Sequence, residues 1–257
     1  MLKADKRWRS IGASVAGSSH QAHGRDCEDA HAYRLLAGNM LVAAVADGAG
    51  SAVQAKAGAA SAVQVALEVV QGWLVGEISG QTTDWSALFN TILGRVREIL
   101  QSQAAGEDLA MRDFATTLLV AIITPTEVIA MQLGDGAIVT HDLHGDFQTL
   151  TKPYHGEFLN ETAFVTSDDY LMRTQVAVQA SDAVDGLALL TDGLQMLALN
   201  MNDNRAHAPF FGPLLRFASN PAASEDELNF RLAAFLDTER LNNATDDDKT
   251  LVLAVRL

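Results

Sequence analysis

Val45-Ala46-Asp47-Gly48-Ala49-Gly50-Ser51 ends an apolar, strand-like run on an aspartate and turns away at once through glycine. The construction recurs at Leu133-Gly134-Asp135-Gly136 and at Leu190-Thr191-Asp192-Gly193. A strand delivers a side chain to a fixed point, and the glycine lets the backbone leave without crowding it. Two further acidic segments flank the set: Gly24-Arg25-Asp26-Cys27-Glu28-Asp29 and Thr245-Asp246-Asp247-Asp248-Lys249-Thr250. An Asp-Gly pair alone is turn chemistry. Carboxylates placed repeatedly at strand ends are oxygen donors suited to hard divalent cations such as Mg²⁺ or Mn²⁺.

Outward from these points the chain alternates short strands with a few long helices. Strands are expected at Trp8 to Ala16, His31 to Leu36 and Asn39 to Ala46, with Gly38-Asn39 turning the last two. A helix follows Ser51, with Val63, Leu67, Val70 and Leu74 at helical spacing. A second carries the stripe Trp85, Leu88, Phe89, Ile92, Val96, Ile99 and Leu100, capped by Asp84. Gln103 to Arg112 reads as a loop. Strands follow at Thr116 to Ile123, Val128 to Leu133, Ala137 to Asp142 and Phe147 to Leu150. Lys152 to Tyr170 shows little periodicity and reads as a long surface excursion. Strands resume at Gln175 to Val178, Leu187 to Thr191 and Leu251 to Val255. Ser224 and Glu227 form a capping box for a last helix carrying Leu228, Leu232 and Phe235. Runs of strands separated by paired helices point to α+β layers.

Composition narrows the function classes. The 257 residues are 48% hydrophobic and 19% charged, a globular balance. The net charge of −14 disfavours nucleic acid and anionic membranes as partners. No apolar run approaches the roughly 20 residues of a membrane-spanning helix. Ile11 to Gly17 is short and broken by glycine, so it reads as a first strand and not as a signal peptide. Cys27 is the single cysteine, so no intrachain disulfide forms, which suits a cytoplasmic location. Its acidic neighbours Glu28 and Asp29 raise a thiol pKa, so it reads as a packed thiol and not a nucleophile.

The ordered acidic segments, from about Gly12 to Val255, resemble the metal-dependent serine/threonine protein phosphatases of type 2C. The likeness is closest to a compact bacterial branch with Ala-Asp-Gly-Ala-Gly-Ser and Thr-Asp-Asp-Asp-Lys-Thr-Leu. It implies a single catalytic domain over 1–257, folded as a four-layer sandwich of two antiparallel β-sheets flanked by helix pairs. It implies two Mn²⁺ or Mg²⁺ ions, with a third held loosely. Asp47 would bridge two ions and the Gly48 carbonyl would bind one of them. Asp192 and Asp247 would complete the ligands, and Asp29 with Glu28 would hold metal-bound waters. Asp135 would serve the third ion beside Asp192. Thr116 and Thr117 stand where relatives place a hydroxyl near the site, though β-branched residues opening a buried strand are structural first. The register within Asp246-Asp247-Asp248 is taken at Asp247.

Two departures from the family stand out. Many relatives carry a histidine after Asp-Gly, where this chain has Ala49. The usual phosphate-binding arginine position is Gly24, with Arg25 one residue later. His20 and Arg25 are therefore the candidate phosphate contacts, His20 because the bacterial branch has a histidine at that spacing, and His23 lies nearby. Gly156-Glu157-Phe158-Leu159-Asn160-Glu161-Thr162 occupies the place of the family's variable flap and reads as a substrate or partner surface. The implied reaction is hydrolysis of phosphoserine or phosphothreonine in a phosphorylated protein by metal-activated water, opposing a cognate serine/threonine kinase. No phosphoenzyme is required. The alternatives are a non-catalytic regulator that binds a phosphorylated partner, and a metallohydrolase of small phosphate esters.

Overall fold

Strand β3 (Met40–Ala46) is apolar on both faces, and its two faces belong to different cores. Val42, Ala44 and Ala46 turn toward helices, whereas Leu41, Ala43 and Val45 turn toward a second sheet. Alternation with period two forces this division, since successive side chains leave a strand on opposite sides. The computed structural model describes residues 7–76, 84–153 and 162–257. Among these, β3 pairs with β2 (Ala30–Leu36) and β4 (Leu118–Ile123), and β5 (Glu127–Leu133) and β8 (Gln175–Ala180) extend the sheet in the order β2-β3-β4-β5-β8. The second sheet runs β1-β12-β9-β6-β7. It is built from β1 (Trp8–Val15), β6 (Ala137–Asp142), β7 (Phe147–Thr151), β9 (Val184–Leu190) and β12 (Lys249–Arg256). All the pairings are antiparallel.

In β12 the same alternation sends Val252 and Ala254 between the sheets, while Leu251, Leu253 and Val255 face an outer helical layer. Helices α2 (Ala55–Gly76) and α3 (Trp85–Gly106) cover the first sheet; α5 (Ala208–Ala218) and α6 (Glu225–Leu236) cover the second. The result is the expected four-layer α+β sandwich. Short elements complete it: α1 (Ser18–Ala22), α4 (Gln195–Ala198), α7 (Glu239–Asn242) and the pair β10 (Leu199–Asn200) and β11 (Arg205–Ala206).

Local chemistry accounts for most boundaries. Gly38 and Asn39 adopt φ of +75° and +60° and turn β2 into β3. The Asp84 carboxylate accepts from Ala87 N at 3.0 Å and starts α3. The loop expected at Gln103 to Arg112 is largely helix: α3 continues to Gly106, and a 3₁₀ turn covers Met111–Phe114. Ala104 extends the buried stripe one turn beyond Leu100, and Gln103 donates to Ser61 Oγ of α2 at 3.0 Å. The Ser224 cap is present, with its hydroxyl accepting from Glu227 N at 3.2 Å. Glu227 instead pairs with Arg231 at 2.6 Å. In α6 Leu236, not Phe235, joins Leu228 and Leu232 in the core. Helix α5 has no counterpart among the sequence expectations; Pro209, Gly212 and Pro213 obscure it.

Candidate metal centre

The antiparallel registers carry every predicted acid to one end of the sandwich. Ala30 opposite Ala46 places the residue before β2, Asp29, beside the residue after β3, Asp47. Leu118 opposite Leu133 brings the end of β5, and so Asp135, to the same edge. In the facing sheet Leu251 and Ala137 both oppose Leu190, so Asp192 follows β9 where Asp247 precedes β12. Gly134 (φ +119°) and Gly136 carry the chain across from one sheet to the other. A Cβ on Gly136 would sit 2.4 Å from the Leu190 carbonyl oxygen. Gly48 is equally constrained, because its Cβ would lie 2.6 Å from the Ala55 carbonyl oxygen and 2.7 Å from that of Glu28.

Asp47, Asp135 and Asp192 each present a carboxylate oxygen within 4.8 Å of the other two. All three are half-buried. The backbone of Asp47 is clamped from β4: its N–H donates to Thr117 Oγ1, and its carbonyl accepts from Thr117 N and Thr116 Oγ1, each at 2.9 Å. The two threonines are thus structural supports. Asp135 accepts from Thr162 Oγ1 at 2.6 Å through its carboxylate, and its carbonyl accepts from the Gln195 side-chain amide.

The cluster is electrostatically costly by itself. Burial, then Asp135, Asp247 and Asp29, push the Asp192 carboxyl up to about 8. Burial, then Asp29, Asp192, Asp135 and Asp247, push Asp47 well above the usual carboxylate range. Asp29 rises to about 7, again mainly by burial, against hydrogen bonds from Thr191 and Thr250 that lower it. Asp247 is an exposed residue, so solvent screens it more, but burial of its carboxyl still raises its pKa. Mutually repelling oxygen donors of this kind fit divalent cations, which convert the repulsion into attraction.

The loop before β2 behaves differently. Asp248 is 3% exposed and its oxygens are spoken for: Oδ1 accepts from Gly17 N at 2.7 Å and meets His20 Nδ1 at 2.8 Å, and Oδ2 accepts from Glu28 N at 2.6 Å. Asp29 Oδ2 accepts from Thr191 Oγ1 at 2.7 Å. Glu28 Oε1 accepts from Arg25 Nη2 at 2.6 Å, while Glu28 Oε2 is buried without a hydrogen bond among the described residues, 3.9 Å from His20 Nε2. Lys249 is fully buried, and its ammonium donates to Asn242 Oδ1 at 2.9 Å and the Asp247 carbonyl at 3.5 Å, which fixes the Asp247 turn.

Asp135 thus stands with Asp47 and Asp192 in the tight trio, while Asp247 lies outside it. His20 and Arg25 both converge on Glu28. His23 instead bonds the Ser19 carbonyl at 2.8 Å. Ala49 is 6% exposed, in a cluster with Ala52, Ala55 and Ala115 against which Phe164 packs. The Cys27 thiol is pushed up by burial and then by Asp29 and Asp248, consistent with a packed thiol. Of the flap segment, Gly156 to Glu161 lie outside the described residues. Three supports escaped the sequence reading: Gln195, Thr162 as a partner of Asp135, and Asp248 as an anchor. Gln195 offers only the signal of following Asp192 within one turn.

Two facing antiparallel sheets with oxygen donors gathered at one end make a candidate divalent-metal site. The family model for protein phosphatase 2C matches residues 16–237, and the chain belongs to that family. It is similar to serine/threonine-protein phosphatase 3 of Escherichia coli strain K12, with 37% identity over 255 residues, covering 96% of this chain and 98% of that one. Among solved structures it resembles a bacterial serine phosphatase (TM-score 0.65, 14% identity, 97% of this chain and 98% of that one). It also resembles the serine/threonine phosphatase Stp1 of Staphylococcus aureus (TM-score 0.60, 15% identity, 99% and 97% covered), and these two likenesses bear on the fold. The protein is a metal-dependent serine/threonine phosphatase acting on phosphoproteins. No helix among the described residues is long and apolar enough to cross a membrane.

Proposed function

We propose that Asp47, Asp192 and Asp247, with the Gly48 carbonyl, hold two Mn²⁺ or Mg²⁺ ions, and that Asp135 with Asp192 serves a third, weaker one. The observation that carries this reading is the approach of the Asp47, Asp135 and Asp192 carboxylates to within 4.8 Å of one another. Such ions activate water as the nucleophile and neutralise charge on the phosphoryl group. The residues of the chain hold and orient. Thr116 and Thr117 fix Asp47, Thr162 and Gln195 fix Asp135, and Thr191 fixes Asp29. Asp29 and Glu28 then stand as acceptors for coordinated water. His20 and Arg25 receive the substrate phosphate. Arg25 keeps 42% of its side chain exposed beside Glu28 and can turn outward to do so. The whole of 1–257 acts as one catalytic domain, in the cytoplasm, against the products of a serine/threonine kinase.

The test is phosphate release from a phosphothreonine peptide as Mn²⁺ is titrated, with calorimetry of Mn²⁺ binding alongside. EDTA should stop turnover, and Asp47→Asn should remove both turnover and most of the binding heat. Unchanged Mn²⁺ affinity in Asp47→Asn would overturn the assignment of Asp47.

A further inference from the structure

A concavity lies in the outer helical layer of the β1-β12-β9-β6-β7 sheet. It is a cavity of about 520 Å³ among α4, α5, α6 and α7, within the roughly 300–1,000 Å³ of small-molecule sites. None of its lining residues is a candidate ligand of the metal centre. Phe210, Phe217, Phe235 and Pro213 supply apolar wall. Phe235 remains 36% exposed, an aromatic ring left partly in water at its edge.

The charge at this cavity runs against the rest of the molecule. The chain has 32 Asp and Glu against 18 Lys and Arg. Yet among the described residues the ionisable groups lining the cavity are Arg231, Arg240 and His207, with no carboxylate. Arg231 is committed to Glu227 at 2.6 Å. Arg240 is exposed and makes no ion pair among the described residues. An apolar interior with a cationic edge matches an apolar body bearing one anionic head. An extended peptide segment matches less well, because its backbone N–H and C=O groups would meet a wall of hydrocarbon and lose their hydrogen bonds.

We propose that this cavity binds a small amphipathic carboxylate, an acyl chain seated among the phenylalanines with its head on Arg240. The site is separate from the metal centre but borders the segments that carry two of its acids. Leu197 lines it from α4, which begins directly after the Asp192–Leu194 turn. Leu241 lines it from α7; its carbonyl accepts from Thr245 N at 3.0 Å, and Thr245 Oγ1 accepts from Asp247 N at 3.3 Å.

The experiment is calorimetric titration of the full chain with dodecanoate below its micellar range, with dodecanol as the uncharged comparison and thermal melting as the check on folding. Dodecanoate should bind saturably, and roughly tenfold tighter than dodecanol, as expected for an ion-paired head. Arg240→Glu should weaken dodecanoate roughly tenfold or more and leave dodecanol unchanged, because like charge replaces opposite charge at the head. Phe235→Ser should weaken both ligands. If Arg240→Glu melts early, Arg240→Gln takes its place and should still weaken dodecanoate selectively. No saturable dodecanoate binding, equal binding of dodecanol, or an unchanged affinity in the folded Arg240 variant would overturn the proposal. So would binding of an acidic peptide at this cavity in place of dodecanoate.

Discussion

The strand ends and the loop from Gly17 to Asp29 bring carboxylates to the same edge of the sandwich, and they hold them in opposite ways. At the ends of β3, β5 and β9 the sheet ladders and neighbouring hydroxyls fix the backbone, and the carboxylates of Asp47, Asp135 and Asp192 are left facing one another. Around the loop Asp248 is consumed by donors, taking two backbone N–H groups and meeting His20, while Asp29 gives one oxygen to Thr191. A buried acid satisfied by the protein is scaffold. A group of acids that repel one another more than the protein's own donors offset is suited to positive charge. By this criterion Asp248 belongs to the scaffold although it adjoins Asp247 in sequence.

The largest expected effect breaks the strand-end side. Asp47→Asn should lower turnover on a phosphothreonine peptide by on the order of 10³-fold or more, the scale of losing preorganised charge stabilisation, and wild-type kinetics would dissolve the distinction drawn above. Asp135→Ala should cost less, on the order of 10²-fold in kcat at saturating Mn²⁺, with the two tighter sites still visible by calorimetry. A wild-type kcat with an earlier melt would return Asp135 to the role of a turn residue.

The loop side is tested by stability. Asp248→Asn swaps an accepting oxygen for a donor facing a backbone N–H, and should destabilise by about 1–3 kcal/mol. Its turnover at saturating Mn²⁺ should fall less than that of Asp247→Asn; the reverse order would place the metal ligand at Asp248. Ala49→His should cost about 1–3 kcal/mol by overpacking against Phe164. If the variant folds, protonation of the leaving group should favour phosphopeptides over aryl phosphates, and equal effects on both would reject that role.

The smallest effect is on pH dependence. Folded pKa values of about 7 for Asp29 and about 8 for Asp192 lie above the unfolded value, so the native state holds the extra protons. Their contribution is full below about pH 4 and is lost as pH rises through the folded values. The melting temperature of the metal-free protein should therefore fall from about pH 5 to about pH 8.5 through this term. Mn²⁺ should raise it more at the alkaline end, where no proton has to leave the ligands. A metal-free protein that grows more stable over that range would show that these acids are not strained.

Much of this was legible along the chain. Alternation in Met40–Ala46 and the Asp84 cap are local signals that the structure bears out, and the three Asp-Gly steps each follow a strand, as the sequence suggests. Helix α5 was hidden because Pro209, Gly212 and Pro213 are local breakers outweighed by burial of Phe211, Leu214 and Leu215. The last turn of α3 was hidden because Gln103 and Ala104 lack a strong apolar signal, and their partners lie on α2 and in the core. The division of labour within Asp246-Asp247-Asp248 has no local signal at all. It is decided by where Gly17 and Glu28 arrive in space.

The pairing of β1 with β12 has a consequence for biogenesis. In its sheet β1 touches only β12, along the register from Trp8 opposite Arg256 to Val15 opposite Lys249, and β12 also forms the link to β9. A growing polypeptide emerging from the ribosome therefore carries β1 without a partner strand in its sheet until β12 has been made. Asp247, just ahead of β12, arrives in the same stretch. A chain ended before Asp247 lacks both the closing strand and one of the acids at this edge, so the first-made strand and the acidic edge are completed together.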